Sequence, residues 1–242
     1  MKTLIIIPAR MASKRFPNKP MALIDGKPMI QRVWEQAISS KLGDVLVACS
    51  EIEVFEYIKS LGGLVKMTNP ELPSGTDRIY EALKKINNAE KYECIINLQG
   101  DMPIIEPSDI EKVNIPIKQG FDIGTLVTNL SHNQLKDKNI TKAQVKWIKK
   151  YKLGKADDFF KFFSKTDLDN IYHHVGIYSF RFETLKKFVN LIRSKNEIER
   201  QLEQMRALDS KMTIGVTYVK DIPISVDTIE ELKEIENLIK NK

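Results

Sequence analysis

Four cations stand within ten residues near the start of this 242-residue chain: Arg10, Lys14, Arg15 and Lys19. Cations spaced along a loop of small and ring residues suit a polyanion, most simply a nucleoside triphosphate, because phosphate oxygens accept charge-assisted hydrogen bonds. Further along, SGTDR (74–78) offers Gly75 for close backbone approach and Arg78 as a planar donor fork. Gln99, Gly100 and Asp101 end an apolar run, and Asp227 follows a late Pro/Ser-containing loop. Two carboxylates meeting bound phosphates would repel them without a cation between. Magnesium, held by one or two carboxylates plus phosphate oxygens, is the usual solution. Asp101 and Asp227 are the pair that fits, and the chemistry is transfer at a nucleotide's α-phosphate. In HHVGIYSF (173–180), alternation puts His174, Gly176 and Tyr178 on one strand face, with room beside Gly176 for a ligand.

Each residue also has a structural reading. Asp227 with Glu230 forms a capping box, and Thr76 with Asp77 could simply start a helix. Glu203 and Gln204 lie on a helix whose inward residues are Ile198, Leu202, Met205 and Leu208, which leaves them on a solvated face. His173 and His174 point to opposite faces, so one of them packs or faces water. No zinc-type spacing joins the two cysteines and three histidines. GxSxG, GxGxxG and GxxxxGK[ST] are all missing, which removes serine-hydrolase, dinucleotide and P-loop readings.

The elements that must position these groups alternate regularly. Residues 4–7 read as a buried strand stopped by Pro8. Asp25-Gly26 makes a turn and Pro28 opens a helix. DVLVAC (44–49) is a second strand, then Ser50 and Glu53 cap a helix, LVKM is a short strand, and a helix starts at Thr76. ECIINLQGD is near-continuously apolar, as in a strand covered on both faces. Ser108 and Glu111 cap the next helix before FDIGTLVTNL. This order predicts an α/β fold with a mostly parallel sheet and helices on both sides, whose ligands bind at strand carboxyl ends. Regularity fades over 131–172, a candidate insertion or dimer arm. A strand, helices near 182–193 and 197–208, the strand TIGVTYV and a C-terminal helix complete a single domain, 1–242.

The charge is segregated. Residues 1–27 carry +5 and residues 136–155 carry +7, in a chain whose net charge is +6, so the remainder is acidic. The lysine segment lacks arginine and has few aromatics (Trp147, Tyr151). It reads as a solvated surface, not a nucleic-acid footprint. Cys49 and Cys94 sit in apolar runs as buried thiols of a reducing compartment. The N-terminal apolar run is too short for a secretory leader, and no stretch approaches the ~20 apolar residues of a membrane span. A cytoplasmic protein is expected.

IPARMASKRFPNKPMALIDGKPMI, NPELPSGTDRI, NLQGDMPII, HHVGIYSF, LEQMRAL and SVDTIEEL occur in this order over nearly the whole chain. Together they resemble the 3-deoxy-manno-octulosonate (Kdo) cytidylyltransferase family, the CMP-Kdo synthetases. The resemblance implies a Rossmann-like nucleotidyltransferase fold and a cytoplasmic homodimer. It implies the reaction of CTP with Kdo to CMP-Kdo and diphosphate, with Mg²⁺, on the path to lipopolysaccharide. By motif, Ala9, Arg10, Arg15 and Lys19 hold CTP, Ser74, Gly75 and Arg78 lie near the base, and Gln99 lies near nucleotide and sugar. Asp101 and Asp227 ligate magnesium, and with Lys19 they are the catalytic residues. Lys165, His174, Tyr178, Glu203 and Gln204 line the sugar pocket. The sequence departs from the family's usual form at Met102, where an acid is common, and at Lys165, where arginine is common. Ser50 and Ser225 depart likewise. Lys165 offers the sugar carboxylate a point charge in place of a fork.

Overall fold

In a computed structural model, which describes residues 1–12, 15–162 and 170–240, the chain forms two compact units. One comprises 1–111 and 223–242, the other 112–222. The second unit's bounds lie well outside the expected excursion at 131–172.

The first unit opens with β1 (Thr3–Ala9), every residue of which is buried except the half-buried Pro8. Pro8 does not stop this strand: it pairs with Ala48 and the strand runs on to Ala9. The ladder on the other side ends at Ile6, so the missing N–H of Pro8 interrupts nothing there. Two short strands, β2 (Leu23–Ile24) and β3 (Lys27–Pro28), close a tiny hairpin over Asp25-Gly26 and lead into α1 (Met29–Ser39). Pro28 is the N-cap of α1, as its preset φ permits. Then follow β4 (Asp44–Cys49), α2 (Ile52–Ser60), β5 (Leu64–Met67), α3 (Gly75–Lys84), β6 (Cys94–Asn97) and α4 (Pro107–Lys112). The four longer strands pair in the order β5-β4-β1-β6, all parallel. Parallel strands covered on both faces must be apolar throughout, which is why Ile5, Ile6, Ile7, Val47, Ile95 and Ile96 are all fully buried. The expected caps of α2 and α4 differ: Glu51 precedes α2 without a side-chain cap, and Ser108 lies inside α4.

The second unit begins with α5 (Ile115–Lys118), β7 (Ile123–Thr128) and α6 (His132–Lys136). The segment expected to be irregular contains two eight-residue strands, β8 (Lys142–Lys149) and β9 (Leu153–Phe160), paired as an antiparallel hairpin. The alternation of AQVKWI (143–148) is that of an exposed strand and falls within β8, whose other face is solvated. Lys142 is the exception: it is fully buried, and its ammonium donates to the carbonyls of Asp137 and Lys161. Next come β10 (Ile171–Arg181), α7 (Phe182–Val189), α8 (Lys195–Arg200), α9 (Gln204–Asp209) and β11 (Ile214–Tyr218). The expected helix over 197–208 is two helices, broken at Gln201 with φ 53°. Ile198, expected inward, is exposed, and Gln204, expected on the solvated face, is buried. The strands run β10-β7-β11-β9-β8, and β10 pairs back with β8 through Ile171, Tyr172 and His173, closing a ring. Only β7 with β11 is parallel here. The chain then returns to the first unit, ending in α10 (Ile229–Lys240). Val226, Ile235, Ile24 and Met29 form one buried cluster that fixes this return.

Candidate active site

At the carboxyl ends of β1 and β6, and at the N-terminus of α3, lies a cavity of about 130 Å³. Its lining includes Ala9, Arg10, Lys19, Gly75, Gln99 and Asp101. With Arg78, seven sequence-expected residues thus meet at one place because parallel strands deliver their C-terminal loops to the same edge. Arg10 and Arg15 are exposed, while Lys19 is half-buried. Lys14 lies outside the described residues.

Lys19 is the centre of the electrostatics. Its Nζ donates to Asp101 Oδ2 at 2.8 Å and to Asp227 Oδ1 at 3.1 Å. Arg15 reaches the other oxygen of Asp227 at 2.9 Å. Burial pulls the pKa of Lys19 down, but the charges and hydrogen bonds of Asp101 and then Asp227 outweigh it, and the ammonium is held above its ordinary value. Two acids and one cation therefore converge, as their spacing in sequence could not reveal: they are 82 and 208 residues from Lys19.

Asp227 is not the helix cap. The cap is formed by Thr228 and Glu231: Thr228 Oγ1 accepts from the Glu231 N–H at 3.2 Å, and Glu231 Oε2 accepts from the N–H groups of Asp227 (2.6 Å) and Thr228 (2.9 Å). Glu231 thus satisfies the Asp227 backbone, which leaves the Asp227 carboxylate free to face Lys19 and Arg15. A backbone bond from the Val226 N–H to the Asp101 carbonyl (2.9 Å) ties the two acid-bearing segments together. Among the described residues no group of three or more His, Cys, Asp and Glu side chains could hold a metal. The acids come as a pair.

Ser74 does act as N-cap of α3, accepting from the Asp77 N–H at 3.1 Å and donating to the Asp77 carboxylate at 2.7 Å. The Arg78 guanidinium is buried and donates to Thr68 Oγ1 (2.6 Å) and to the carbonyl of Asn69 (3.2 Å). It holds the 68–70 loop and takes its place in the cavity wall from there. Burial lowers its pKa from the ordinary arginine value. Gln99 is oriented by Asn97, whose Oδ1 accepts from Gln99 Nε2 at 2.9 Å. Asn97 in turn donates to Thr76 Oγ1 at 3.3 Å and is itself buried. Sequence reasoning missed Asn97, although a buried amide closing the apolar run CIIN was a readable signal.

The second unit gathers a different set. The His174 and Tyr178 rings lie 5.5 Å apart on one face, as alternation predicts; the irregularity between Val175 and Tyr178 adds two residues and so keeps that face, His174 pairing with Val127 and Tyr178 with Thr125. A Cβ placed on Gly176 would meet nothing within 4 Å, so the space beside them is open. His174 Nε2 lies 3.0 Å from Thr125 Oγ1, and that hydroxyl donates toward the Ile177 carbonyl at 2.8 Å. Complete burial, with His173 beside it, pushes the His174 pKa down to about 3, so it is neutral. Burial and then the Glu203 charge push the Tyr178 phenol up. Burial and then Lys142 lower the pKa of His173. Glu203 precedes α9, and the buried Gln204 is its first residue. Lys165 lies outside the described residues.

A family model for cytidylyltransferases matches residues 4–214. The 3-deoxy-manno-octulosonate cytidylyltransferase of Paramagnetospirillum magneticum is 38% identical over 98% of this chain and 97% of its own length. That of Rhodospirillum centenum is 36% identical, covering 98% and 93%. A solved CMP:2-keto-3-deoxy-manno-octonic acid synthetase complexed with CTP is 31% identical, with TM-score 0.89 over 100% of this chain and 99% of that one. UDP-glucose pyrophosphorylase complexed with UDP-glucose, 14% identical with TM-score 0.70 over 100% and 99%, shares the fold. The cations of the first loop, the paired acids and the α/β architecture therefore have a common explanation: the chain belongs to the 3-deoxy-manno-octulosonate cytidylyltransferases, a family of nucleotidyltransferases.

Proposed function

We propose that this enzyme transfers CMP from CTP to Kdo, giving CMP-Kdo and diphosphate, and so supplies an activated acidic sugar for lipopolysaccharide. The observation that carries the reading is Lys19 bonded to both Asp101 and Asp227 in the wall of a pocket that also presents Arg10, Gly75 and Gln99. Two converging acids bridged by Lys19, with Arg15 on the second, are suited to a divalent cation whose remaining ligands are phosphate oxygens. Asp101 and Asp227 would hold Mg²⁺, which supplies charge neutralisation and Lewis acidity at the phosphates when bound.

The chain's own residues do the rest. Arg10, Arg15 and Lys19 bind the triphosphate and offset the charge that develops as the sugar's anomeric hydroxyl attacks the α-phosphorus and diphosphate departs. Ala9 and Gly75 permit close approach of backbone to nucleotide, and Asn97 fixes the amide of Gln99. Ser74 sets the start of α3, and Arg78 keeps the adjoining loop in place. His174, Tyr178, Glu203, Gln204 and Lys165 are assigned to the sugar. At a pKa of about 3, His174 is too weak a base at neutral pH to take the hydroxyl's proton, so its role is to shape and orient. The family resemblance also supports a cytoplasmic homodimer.

The test is a diphosphate-release panel crossing CTP and UTP with Kdo, its 8-amino analogue and sialic acid, with and without Mg²⁺. Release only with CTP, Kdo and the metal is expected. Equal turnover of sialic acid would reassign the sugar, and CTP binding with no release from any sugar would make the chain a nucleotide-binding protein.

A further inference from the structure

Arg206 stands in the stretch LEQMRAL (202–208) and has no part in the site as described so far. Its guanidinium is buried and forks onto the buried Glu197, Nε donating to Oε2 at 2.8 Å and Nη2 to Oε1 at 2.6 Å. The fork spans the break at Gln201 and joins α8 to α9, so it closes the corner of chain between residues 197 and 206. The Leu202 N–H donates to the Glu197 carbonyl at 3.2 Å, and the Arg206 N–H to the Glu203 carbonyl at 3.1 Å, which tightens the same corner. Glu203 and Gln204, both assigned to the sugar, lie inside it.

The same guanidinium reaches the sugar site. Arg206 Nη2 lies 3.7 Å from Oε1 of the half-buried Glu203, one helical turn back. That is ion-pair reach, so the cation steers the carboxylate. Arg193 supplies Glu197 with a second cation at 3.1 Å, so Glu197 does not absorb the whole charge of Arg206. Nor can the guanidinium turn away, since its central carbon packs 4.8 Å from the Phe188 ring centroid. That ring heads a row, Phe188, Phe180, Tyr178 and His174, with successive centroids 5.9, 6.2 and 5.5 Å apart. Glu203 is near enough to this row for its charge to add to burial in pushing the Tyr178 phenol up. One framework thus fixes the acid and both rings of the sugar site.

We propose that Arg206 is a positioning residue for the sugar: by its fork to Glu197 and its charge on Glu203, it holds the Glu203 carboxylate where sugar hydroxyls meet it. This rests on the reading of Glu203 as a sugar ligand. An arginine that merely supported the fold would set how much enzyme is folded, not how well the folded enzyme takes its sugar.

Arg206→Lys keeps a cation against Glu197 but loses the fork. In diphosphate release from CTP and Kdo, KM for Kdo should rise about tenfold, the size of one charge-assisted hydrogen bond. KM for CTP, and kcat per folded chain, should stay within about twofold of wild type. Glu203→Gln should raise KM for Kdo by a similar factor in the wild-type background, but by no more than about twofold in Arg206→Lys, because coupled residues are not additive. Arg193→Gln, which removes the exposed second partner of Glu197, should change neither KM. If Arg206→Lys does not fold, Arg206→Gln with Glu197→Gln removes both buried charges together and should show the same rise. An unchanged KM for Kdo in the folded Arg206 variant, an equal rise in both KM values, or full multiplication of the Glu203 and Arg206 effects would overturn the inference. Glu203→Gln alone tests the reading beneath it: if that variant kept the wild-type KM for Kdo, Glu203 would not be a sugar ligand and the inference would fall with it.

Discussion

Two ion clusters in this molecule each join carboxylates to cations and behave oppositely. In the first unit, Lys19, Asp101 and Asp227 keep 15%, 24% and 35% of their side chains exposed, beside a cavity. In the second unit, Glu197 and Arg206 are 3% and 6% exposed and form a two-bond fork at 2.6 and 2.8 Å. Arg206 also lies 4.8 Å from the Phe188 ring centroid, and Arg193 adds a bond to Glu197 at 3.1 Å. The buried pair has no room for an incoming ion. The exposed one can exchange a partner, because water can solvate whichever group is displaced. Accessibility, not charge, separates chemistry from architecture here.

Neutralising an acid in each cluster should therefore damage different observables. Asp101→Asn should lower kcat for diphosphate release about 10³-fold, the several kcal/mol that a metal carboxylate contributes to a charged transition state. The thermal midpoint without ligand should scarcely move. A variant retaining activity within tenfold of wild type would remove Asp101 from the chemistry.

Glu197→Gln should do the reverse, costing about 3 kcal/mol of stability because the buried Arg206 loses the charge of its two-bond partner. Residual folded enzyme should keep its KM for CTP. The same pair sets an acid limit. Burial raises the Glu197 pKa, but the hydrogen bond and charge of Arg206, then those of Arg193, outweigh it, and the folded value lies below 4.5. Its stabilisation is present above that pH and is lost as pH falls through the folded pKa. Denaturant titrations at pH 7 and pH 4 should differ less in Glu197→Gln than in wild type.

His174 gives a smaller, graded effect. Its folded pKa is near 3 against 6.5 unfolded, so the unfolded chain binds the extra proton. Stability from this group is complete above about pH 6.5 and falls by about 1.4 kcal/mol per pH unit below it. His174→Gln should flatten that slope. An imidazole resonance titrating near 6.5 in the folded protein would contradict the buried, neutral ring.

How far the sequence could be read follows the same division. The parallel strands β1, β4 and β6 are local, apolar and unmistakable, so their order alone puts the first loop, Gln99 and Asp101 at a common edge. Asp227 was ambiguous because Glu230 and Glu231 offer alternative caps, and one residue of register decides whether its carboxylate caps a helix or meets Lys19. Alternation did put His174 and Tyr178 on one face. The strand β9 was hidden by its mixed pattern LGKADDFF and the interruption at Gln201 by continuous helical periodicity. Each of these two depends on contacts that local pattern does not encode.

The finest comparison uses two glycines, one in each unit. A Cβ on Gly100 would lie 2.8 Å from the Pro8 carbonyl oxygen, a backbone atom that cannot swing aside. A Cβ on Gly176 would touch nothing within 4 Å. Gly100→Ala must push β1 and the Asp101 segment apart, so it should cost about 1–3 kcal/mol and raise KM for CTP. Gly176→Ala should leave stability within about 0.5 kcal/mol of wild type. Its methyl group would instead take up space beside His174 and Tyr178, so KM for the sugar should rise several-fold with KM for CTP unchanged. Equal effects of Gly176→Ala on both substrates, or none on either, would mean that this open space is not where the sugar binds.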